Sequence, residues 1–570
     1  MLSELKQQLI KALYSAGVTG EIELVVPPKS EMGEFAFGCF TFAQKNRLSP
    51  PAVAKELSEG LQGAVGKIDM LEKVEANGPY VNFYLNNKLL AERVLNNIKP
   101  ENKEKNGKKV LIEFAQPNTH KAFHIGHLRG TITGESLSRV MEAAGYDVVR
   151  ANYQGDVGMH IAKCLWGILQ IRNLKSEIRK LSSINEKIKF LGDAYVAGAT
   201  AFESDEKIKK EIEEINNRIY GRDLEIKELY DETRAWSLEY FDGIYKKLDT
   251  HFDRFFFESE VYKRASQIVN EFLPKGVFAF SENAIIYRGE NEGLHDRVFQ
   301  TGAGNPTYEA KDLALAELQF KEFSPDQIIH VVAREQTEYF RVVFKVLEKT
   351  LPESLGKERH LPYGWVSLKS GKMSSRTGQV VLAESLMDEI NKKVLGIMEK
   401  SEIKNKEAVA EKISLGALKY SFLKTGIGND IVFDMEESVS LSGDSGPYLL
   451  YIVARINSIL RKTGGGGLLA KLFGKTGGLP EKVEDREKQL LIKLAEFDGV
   501  VLKASEAKDP SKIAQYLFTL AQMFNNFYHI SPILKADKKS KAFRIRIIKA
   551  VREVMVSGLN LLGIETVEEM

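Results

Sequence analysis

Cysteine is scarce in this chain: two residues, Cys39 and Cys164, among 570. Two isolated thiols make no disulfide framework and suit a reducing compartment, which excludes the small stapled secreted classes. Long apolar runs are missing as well. None approaches the ~20 residues that cross a bilayer, and Met1–Ser15 lacks the apolar stretch of a secretory signal. No membrane partner is expected, and the expected compartment is the cytoplasm. Nor does one sign of charge dominate, since 80 Lys and Arg against 78 Asp and Glu leave a net +2. A polyanion would be met by local basic patches and not by a globally basic surface. The hydrophobic share of 43% is ordinary for a chain of several globular domains.

What is present concentrates in Val110–Val140. The apolar run Val110–Ala115 reads as a strand, and a Pro-containing loop follows. His124-Ile125-Gly126-His127 then opens a segment with helical spacing at Leu128, Ile132, Leu137 and Val140, which stops at Gly145. Val148 and Val149 begin a second strand. Unbonded N–H groups and the dipole at such a helix start favour an anion, and Gly126 allows a phosphate or purine to approach the backbone. Strand–loop–helix turns are common, so the tetrapeptide alone does not decide the chemistry. Zinc is the rival ligand, because His120, His124 and His127 are three of the nine histidines. Zinc favours helical histidines four apart with a nearby third ligand, whereas His124 and His127 are three apart, and no zinc is expected.

A second phosphate-binding element lies far along the chain. Lys372-Met373-Ser374-Ser375-Arg376-Thr377-Gly378 follows the strand-like Leu361–Lys369 in a polar loop. Such a loop can bring two cations and two hydroxyls to a triphosphate. The two elements, in this order and separated by a Rossmann-sized span, resemble the HIGH and KMSKS signatures of class I aminoacyl-tRNA synthetases. Flanking phrases narrow the resemblance to the arginyl-tRNA synthetases. These are Glu113-Phe114-Ala115-Gln116-Pro117-Asn118 with Lys121 before the histidines, Gly155-Asp156-Val157-Gly158, and Pro306-Thr307-Tyr308-Glu309-Ala310-Lys311-Asp312. A fourth is Gly443-Asp444-Ser445-Gly446-Pro447-Tyr448-Leu449 with Tyr451 and Ala454-Arg455-Ile456.

The resemblance extends over essentially the whole chain and implies a multidomain α/β plus all-α fold. Residues 1–100 would form a small N-terminal α/β module that binds the tRNA elbow. Residues 110–370 would form a Rossmann-type class I catalytic core, split by a charged helical insertion at about 170–260. The KMSKS-like loop and a connecting region would occupy 371–430, and a helical-bundle anticodon-binding domain 431–570. The glycine-rich stretch Lys462–Gly478 reads as a surface loop without an assigned role.

The resemblance also implies the reaction. ATP, with Mg²⁺, and L-arginine would give arginyl-adenylate and pyrophosphate, and arginine would pass to the 3′-terminal adenosine of tRNA-Arg. The chain would act as a monomer. ATP would be bound by His124, Ile125, Gly126, His127, Lys372, Met373, Ser374 and Ser375. The catalytic set would be His124, His127, Lys121, Lys372 and Arg376. Ser375 stands where the family's signature has its second lysine, so phosphate charge would fall to Lys372, Arg376 and Lys121. A guanidinium is best held by carboxylates in bidentate geometry. Tyr308 and Asp312 fall on one helix face, and Glu113 sits in an apolar strand where it needs a cation. The resemblance assigns Glu113, Tyr308 and Asp312 to the guanidinium, and Asn118 and Gln336 to the α-amino or carboxylate end.

For tRNA, Asn82 and Tyr84 around Phe83 could stack on and pair with an unstacked base, the plain alternative being core strand residues. The basic Lys535–Arg552 near Tyr516, Phe524 and Tyr528 suits anticodon binding, against a solvated charged face and core aromatics. Two other functions compete with this reading. One is a class I synthetase for another amino acid, although the chain shows neither a Cys/His zinc set nor room for a large editing domain. The other is a non-catalytic synthetase-like tRNA-binding paralogue, in which signature histidines and the loop lysine tend to erode; His124, His127 and Lys372 are all present. If Lys121 neutralises phosphate charge, Lys121→Ala slows adenylate formation about tenfold or more in pyrophosphate exchange. An unchanged rate removes that role.

Overall fold

Apolar, β-branched segments build a five-stranded sheet in the order Glu358–Tyr363, Gln327–Ala333, Lys109–Glu113, Asp147–Gln154, Arg254–Phe257. Every neighbouring pair is parallel. Parallel neighbours require long crossovers, and the helices that supply them cover both faces. That is why Val110, Leu111 and Ile112 run consecutively apolar and are all buried. From the central strand Lys109–Glu113 the chain first builds outward through Asp147–Gln154, then later returns to the other side with Gln327–Ala333. The order therefore reverses at Lys109–Glu113, and its C-terminal end is where an open α/β sheet presents its ligand crevice. The structure, a computed structural model, describes residues 2–96, 105–369, 381–463, 480 and 482–570. Lys372, Met373, Ser374, Ser375 and Arg376 lie outside the described residues, as does most of the glycine-rich stretch.

The helix Ile125–Ala143 is buried on nearly every side, which explains its weak amphipathic pattern. Gly134 allows it to close on the central strand: a Cβ there would sit 2.2 Å from Phe114 Cγ. Its other flank meets the C-terminal half of the chain. Ser136 Oγ donates to the carbonyl of Leu561 at 2.9 Å, and Arg139 to that of Asn560 at 3.1 Å.

Between the second and third core strands, the helices Met159–Leu169, Leu174–Lys180, Ile184–Ser204, Glu206–Tyr220 and Leu224–Lys247 form a layer with its own apolar interior, including Ile161, Leu165, Ile212 and Trp236. Arg254–Phe257 falls inside the stretch expected as insertion but pairs with Asp147–Gln154, so it belongs to the core sheet. Its Phe255-Phe256-Phe257 run is strand-like for the same reason as Val110–Ile112.

At the N-terminus, four antiparallel strands run in the order Leu24–Val25, Phe35–Gly38, Tyr80–Leu85, Leu71–Asn77. At the C-terminus, Gly446–Lys462, Asp485–Ala495, Phe497–Ala507, Ser511–Ile530 and Lys538–Leu561 pack as helices. Among the described residues no helix is long and apolar enough to cross a membrane.

In an ordinary helix interior, glycine to alanine is stabilising by roughly 0.5–1 kcal/mol. At Gly134 the close strand reverses the sign: Gly134→Ala should destabilise by about 1–3 kcal/mol, read as a lower midpoint in thermal denaturation.

Candidate active site

His124 caps the helix Ile125–Ala143. Its Nδ1 accepts from the backbone N–H groups of Gly126 at 3.1 Å and His127 at 3.4 Å, while His127 Nδ1 accepts from the N–H of His124 at 3.2 Å. The two rings stack with centroids 3.7 Å apart. This corrects the simplest view of the tetrapeptide, because the helix-start N–H groups of Gly126 and His127 are already satisfied. Gly126 makes room for its neighbour's ring, His124 lying 3.0 Å from where a Cβ would stand. A ring nitrogen that accepts from N–H carries no proton, so each neutral imidazole keeps its proton on Nε2 as a donor. Burial lowers both pKa values, and the nearby Lys121 charge lowers them further. The pair therefore offers two neutral donors to an anion, not two cations.

Lys121 is half-buried, its Nζ 5.3 Å from the centre of the Tyr195 ring on the helix Ile184–Ser204, and burial lowers its pKa. His120 turns away from the other two histidines. It is buried and lies 2.9 Å from Thr233 Oγ1 and 3.1 Å from Thr119 Oγ1. Among the described residues no group of three His, Cys, Asp or Glu side chains is placed to hold a metal. The segment leaving the signature loop docks on the histidine element: Ile125 N–H donates to Val381 O, and Ala383 N–H to Phe123 O, each at 2.9 Å. The described segment from Val381 to Ala383 thus flanks His124.

Near the strand ends, carboxylates gather around Tyr153. Gly155 lets two polar side chains close in, since a Cβ there would lie 2.1 Å from Asn118 Oδ1 and 3.2 Å from Glu258 Oε1. Asn118, from the loop after Lys109–Glu113, and Glu258, at the start of the helix Glu258–Phe272, therefore converge on Gly155. Tyr153 has a buried hydroxyl without a partner, and its pKa is pushed well up, first by burial and then by Glu258, Asp312, Glu113 and Asp156. Asp312 accepts from Tyr339 Oη at 2.7 Å, and burial raises its carboxyl to about 7. Tyr308 opens the same helix and is 55% exposed, with Lys311 Nζ 5.0 Å from its ring centre. Lys311 also bonds Glu258 at 2.6 Å and Tyr220 Oη at 3.2 Å. Asp156 ties the surrounding elements together through Arg234 Nε at 2.9 Å and Ser259 Oγ at 2.7 Å.

Glu113 is 2% exposed and has no open face. Its carboxylate accepts from the side-chain amides of Gln116 at 2.6 Å and Gln319 at 2.7 Å, with His330 Nδ1 at 3.4 Å. Glu113, expected on the guanidinium, thus already has protein donors on both of its oxygens. Gln336 stands exposed in the short turn Arg334–Gln336 after the strand Gln327–Ala333. Glu258, Lys311, Tyr153 and Tyr339 were not singled out from sequence. Glu258 carries a readable signal, a carboxylate directly after an apolar strand, as in Glu113.

The expected RNA contacts fare unevenly. Asn82 is 3% exposed and lies within the antiparallel sheet, so it presents nothing to a base; only Tyr84 is partly open, beneath Lys73. In the C-terminal helices Tyr516 and Phe524 are core, and Arg544 is buried on Glu487 and Glu484. Lys535, Lys538, Lys539 and Lys549 of the basic stretch are exposed, and Arg455 is partly exposed, its guanidinium 4.6 Å from the centre of the Tyr451 ring and 5.2 Å from that of Tyr528.

A parallel sheet with a histidine pair capping the first crossover helix is the class I aminoacyl-tRNA synthetase catalytic fold. The description "tRNA synthetases class I (R), catalytic domain" matches residues 88–435, "Arginyl tRNA synthetase N terminal domain" matches 2–85, and "DALR anticodon binding domain" matches 449–570. The chain belongs to the arginyl-tRNA synthetase family. The arginine–tRNA ligase of Clostridium acetobutylicum is 34% identical, covering 98% of this chain and 97% of its own. That of Borrelia duttonii is 31% identical, covering 100% and 99%. The solved arginyl-tRNA synthetase of Thermus thermophilus superposes with a TM-score of 0.80 at 25% identity over the full length of both chains.

If His124 is the cap, His124→Ala should lower stability by about 1 kcal/mol, whereas His124→Asn, which keeps an acceptor, should lose less. Thermal melting of the two variants distinguishes them.

Proposed function

We propose that this member of the family is an arginine–tRNA ligase whose specificity resides in the acidic pocket at the strand ends. The observation that carries the reading is the unpartnered Tyr153 hydroxyl among the carboxylates of Glu258, Asp312, Glu113 and Asp156. A planar, permanently charged guanidinium supplies several donors to such a group of acceptors. In this reading Glu113, Asp312 and Tyr308 meet the guanidinium, Glu258 contributes once Lys311 yields, and Asn118 and Gln336 hold the α-amino or carboxylate end. Full-length relatives that are ligases support catalysis over a purely tRNA-binding role.

ATP, with Mg²⁺, is the co-substrate. The arginine carboxylate attacks the α-phosphate, the bond to the β-phosphate breaks, and pyrophosphate leaves with arginyl-adenylate formed. The protein supplies no nucleophile; it aligns two substrates and offsets phosphate charge. His124 and His127 donate from Nε2, and Lys121, Lys372 and Arg376 add positive charge. A ribose hydroxyl at the tRNA 3′ end then attacks the adenylate carbonyl and AMP departs. The helical domain, with Arg455 between Tyr451 and Tyr528, reads the anticodon by stacking, and the N-terminal module holds the tRNA elbow. We further propose that the enzyme acts as a cytoplasmic monomer.

Arginine-dependent ATP–pyrophosphate exchange, with and without tRNA and beside other amino acids, tests the reading. Exchange with arginine alone supports it, and exchange with none refutes it. Because the Asp312 carboxyl ionises near pH 7, kcat/KM for arginine should rise as pH rises through about 7 and its carboxylate forms. Asp312→Asn should flatten that limb and lower kcat/KM about 10- to 100-fold. A wild-type profile without the limb would remove Asp312 from the guanidinium.

A further inference from the structure

We propose that Glu34 and Lys488 are positioning residues for the tRNA substrate: their buried ion pair fixes the N-terminal module on the helical domain, so that both engage tRNA as one frame. The proposal rests on the reading above that the module holds the tRNA elbow while the helical domain reads the anticodon.

Glu34 stands just before the strand Phe35–Gly38 and is 4% exposed. Its backbone joins the module's sheet, the Glu34 N–H donating to Phe83 O at 2.9 Å. Its carboxylate reaches two different parts of the chain. Oε2 accepts from the Leu85 N–H at 2.6 Å, at the end of the strand Tyr80–Leu85. Oε1 pairs with Lys488 Nζ on the helix Asp485–Ala495 of the helical domain. The strand that carries Tyr80, Asn82 and Tyr84 is therefore held by a side chain whose charge is met from the other domain. A carboxylate buried this far needs such a cation. Lys488 is itself largely out of water, its side chain 12% exposed.

The helix Asp485–Ala495 is anchored in two directions by adjacent residues. Glu487 accepts from Arg544 Nε at 2.8 Å on Lys538–Leu561, within the helical domain, while Lys488 turns to the module. The module's helix Asn87–Asn96 packs against the same helix, and its buried residues Leu90, Ala91 and Val94 are apolar. Arg546 donates to Asn96 Oδ1 at 3.2 Å, but at the exposed surface. Apolar burial is non-directional and tolerates sliding. Buried ionic groups are best attested as devices that fix register, and Glu34–Lys488 is such a group at this boundary. A substrate held at two distant places depends on that register, because the second contact forms at an effective concentration set by the first. A module free to swing lowers that concentration without the loss of any tRNA contact.

The test compares Glu34→Gln, Lys488→Met and the double variant in the full-length chain. The double variant removes both charges and keeps an acceptor for the Leu85 N–H. Readouts are the KM values for tRNA, arginine and ATP in aminoacylation, the melting temperature, and the distance distribution between two spin labels. The labels are carried by Glu59→Cys on the helix Pro50–Gly60 and Gln515→Cys on the helix Ser511–Ile530, both exposed positions. The native Cys39 and Cys164 are buried and do not compete for label.

Lys488→Met should have the lowest melting temperature, since it leaves Glu34 charged and buried. The double variant should regain most of that stability, yet its KM for tRNA should stay raised about tenfold while those for arginine and ATP remain within about twofold. Its label distances should spread beyond the wild-type distribution. This split separates positioning from stability, because a merely structural pair would give back tRNA affinity together with the melting temperature. Label distances unchanged in all three variants, or KM values that rise alike for all three substrates, would overturn the proposal. Spread distances with an unchanged KM for tRNA would overturn the tRNA role and the elbow reading together, while keeping the pair as what fastens the module. The label distances are measured without tRNA, so the fastening and the elbow reading fail separately.

Discussion

A carboxylate buried at the end of the central strand is the constraint around which this active site is arranged. Glu113 closes Lys109–Glu113 where the sheet order reverses, a place with little water and neighbours on both sides. An ionised group there persists only with charge and hydrogen bonds supplied on the spot. His330, Gln116 and Gln319 meet that demand, and each fixes something else in doing so. Gln116 holds the left-handed loop, Gln319 ties in the helix that carries Tyr308 and Asp312, and His330 joins the strand that leads to Gln336. A charge requirement thereby becomes a scaffold for the pocket.

The same economy appears at the histidine element. A helix start ordinarily leaves N–H groups unsatisfied, and an anion is one way to satisfy them. Here His124 does so itself and stacks on His127, which fixes both tautomers and aims proton-bearing Nε2 atoms away from the helix start. The helix behind them is wedged between the core strand at Gly134 and the C-terminal segment at Leu561. Its position therefore depends on packing drawn from both ends of the chain. Movement of the C-terminal helices would be felt along the histidine element.

Much of this was legible before any coordinates. The strand–loop–helix–strand unit follows from the apolar runs and the helical spacing after His127, and the helices of the C-terminal part follow from their periodicity. Tyr308 and Asp312 share a helix face as their spacing requires. Other features escaped for identifiable reasons. Arg254–Phe257 lies between strongly helical, charged stretches, so a four-residue strand did not stand out from the insertion. Asn82 is a polar residue on a buried face, which alternation in a short strand does not reveal. The same holds for Tyr516, Phe524 and Arg544, where an aromatic or basic residue at helical spacing reads alike whether it faces core or solvent.

The sequence by itself determined the family, the order of the elements and which segments carry chemistry, because these depend on local spacing and on residue types that few other arrangements would place together. Only the tertiary structure decided which partners each of the clustered carboxylates has. Glu113, Glu258 and Asp312 are equivalent acids along the chain, yet one accepts from two amides with His330 beside it, one is paired with Lys311, and one accepts from the Tyr339 phenol. The partners that create this difference come from strands and helices far apart in sequence. A carboxylate's charge, exposure and remaining capacity are set by what is packed around it, and that packing exists only once the sheet has closed.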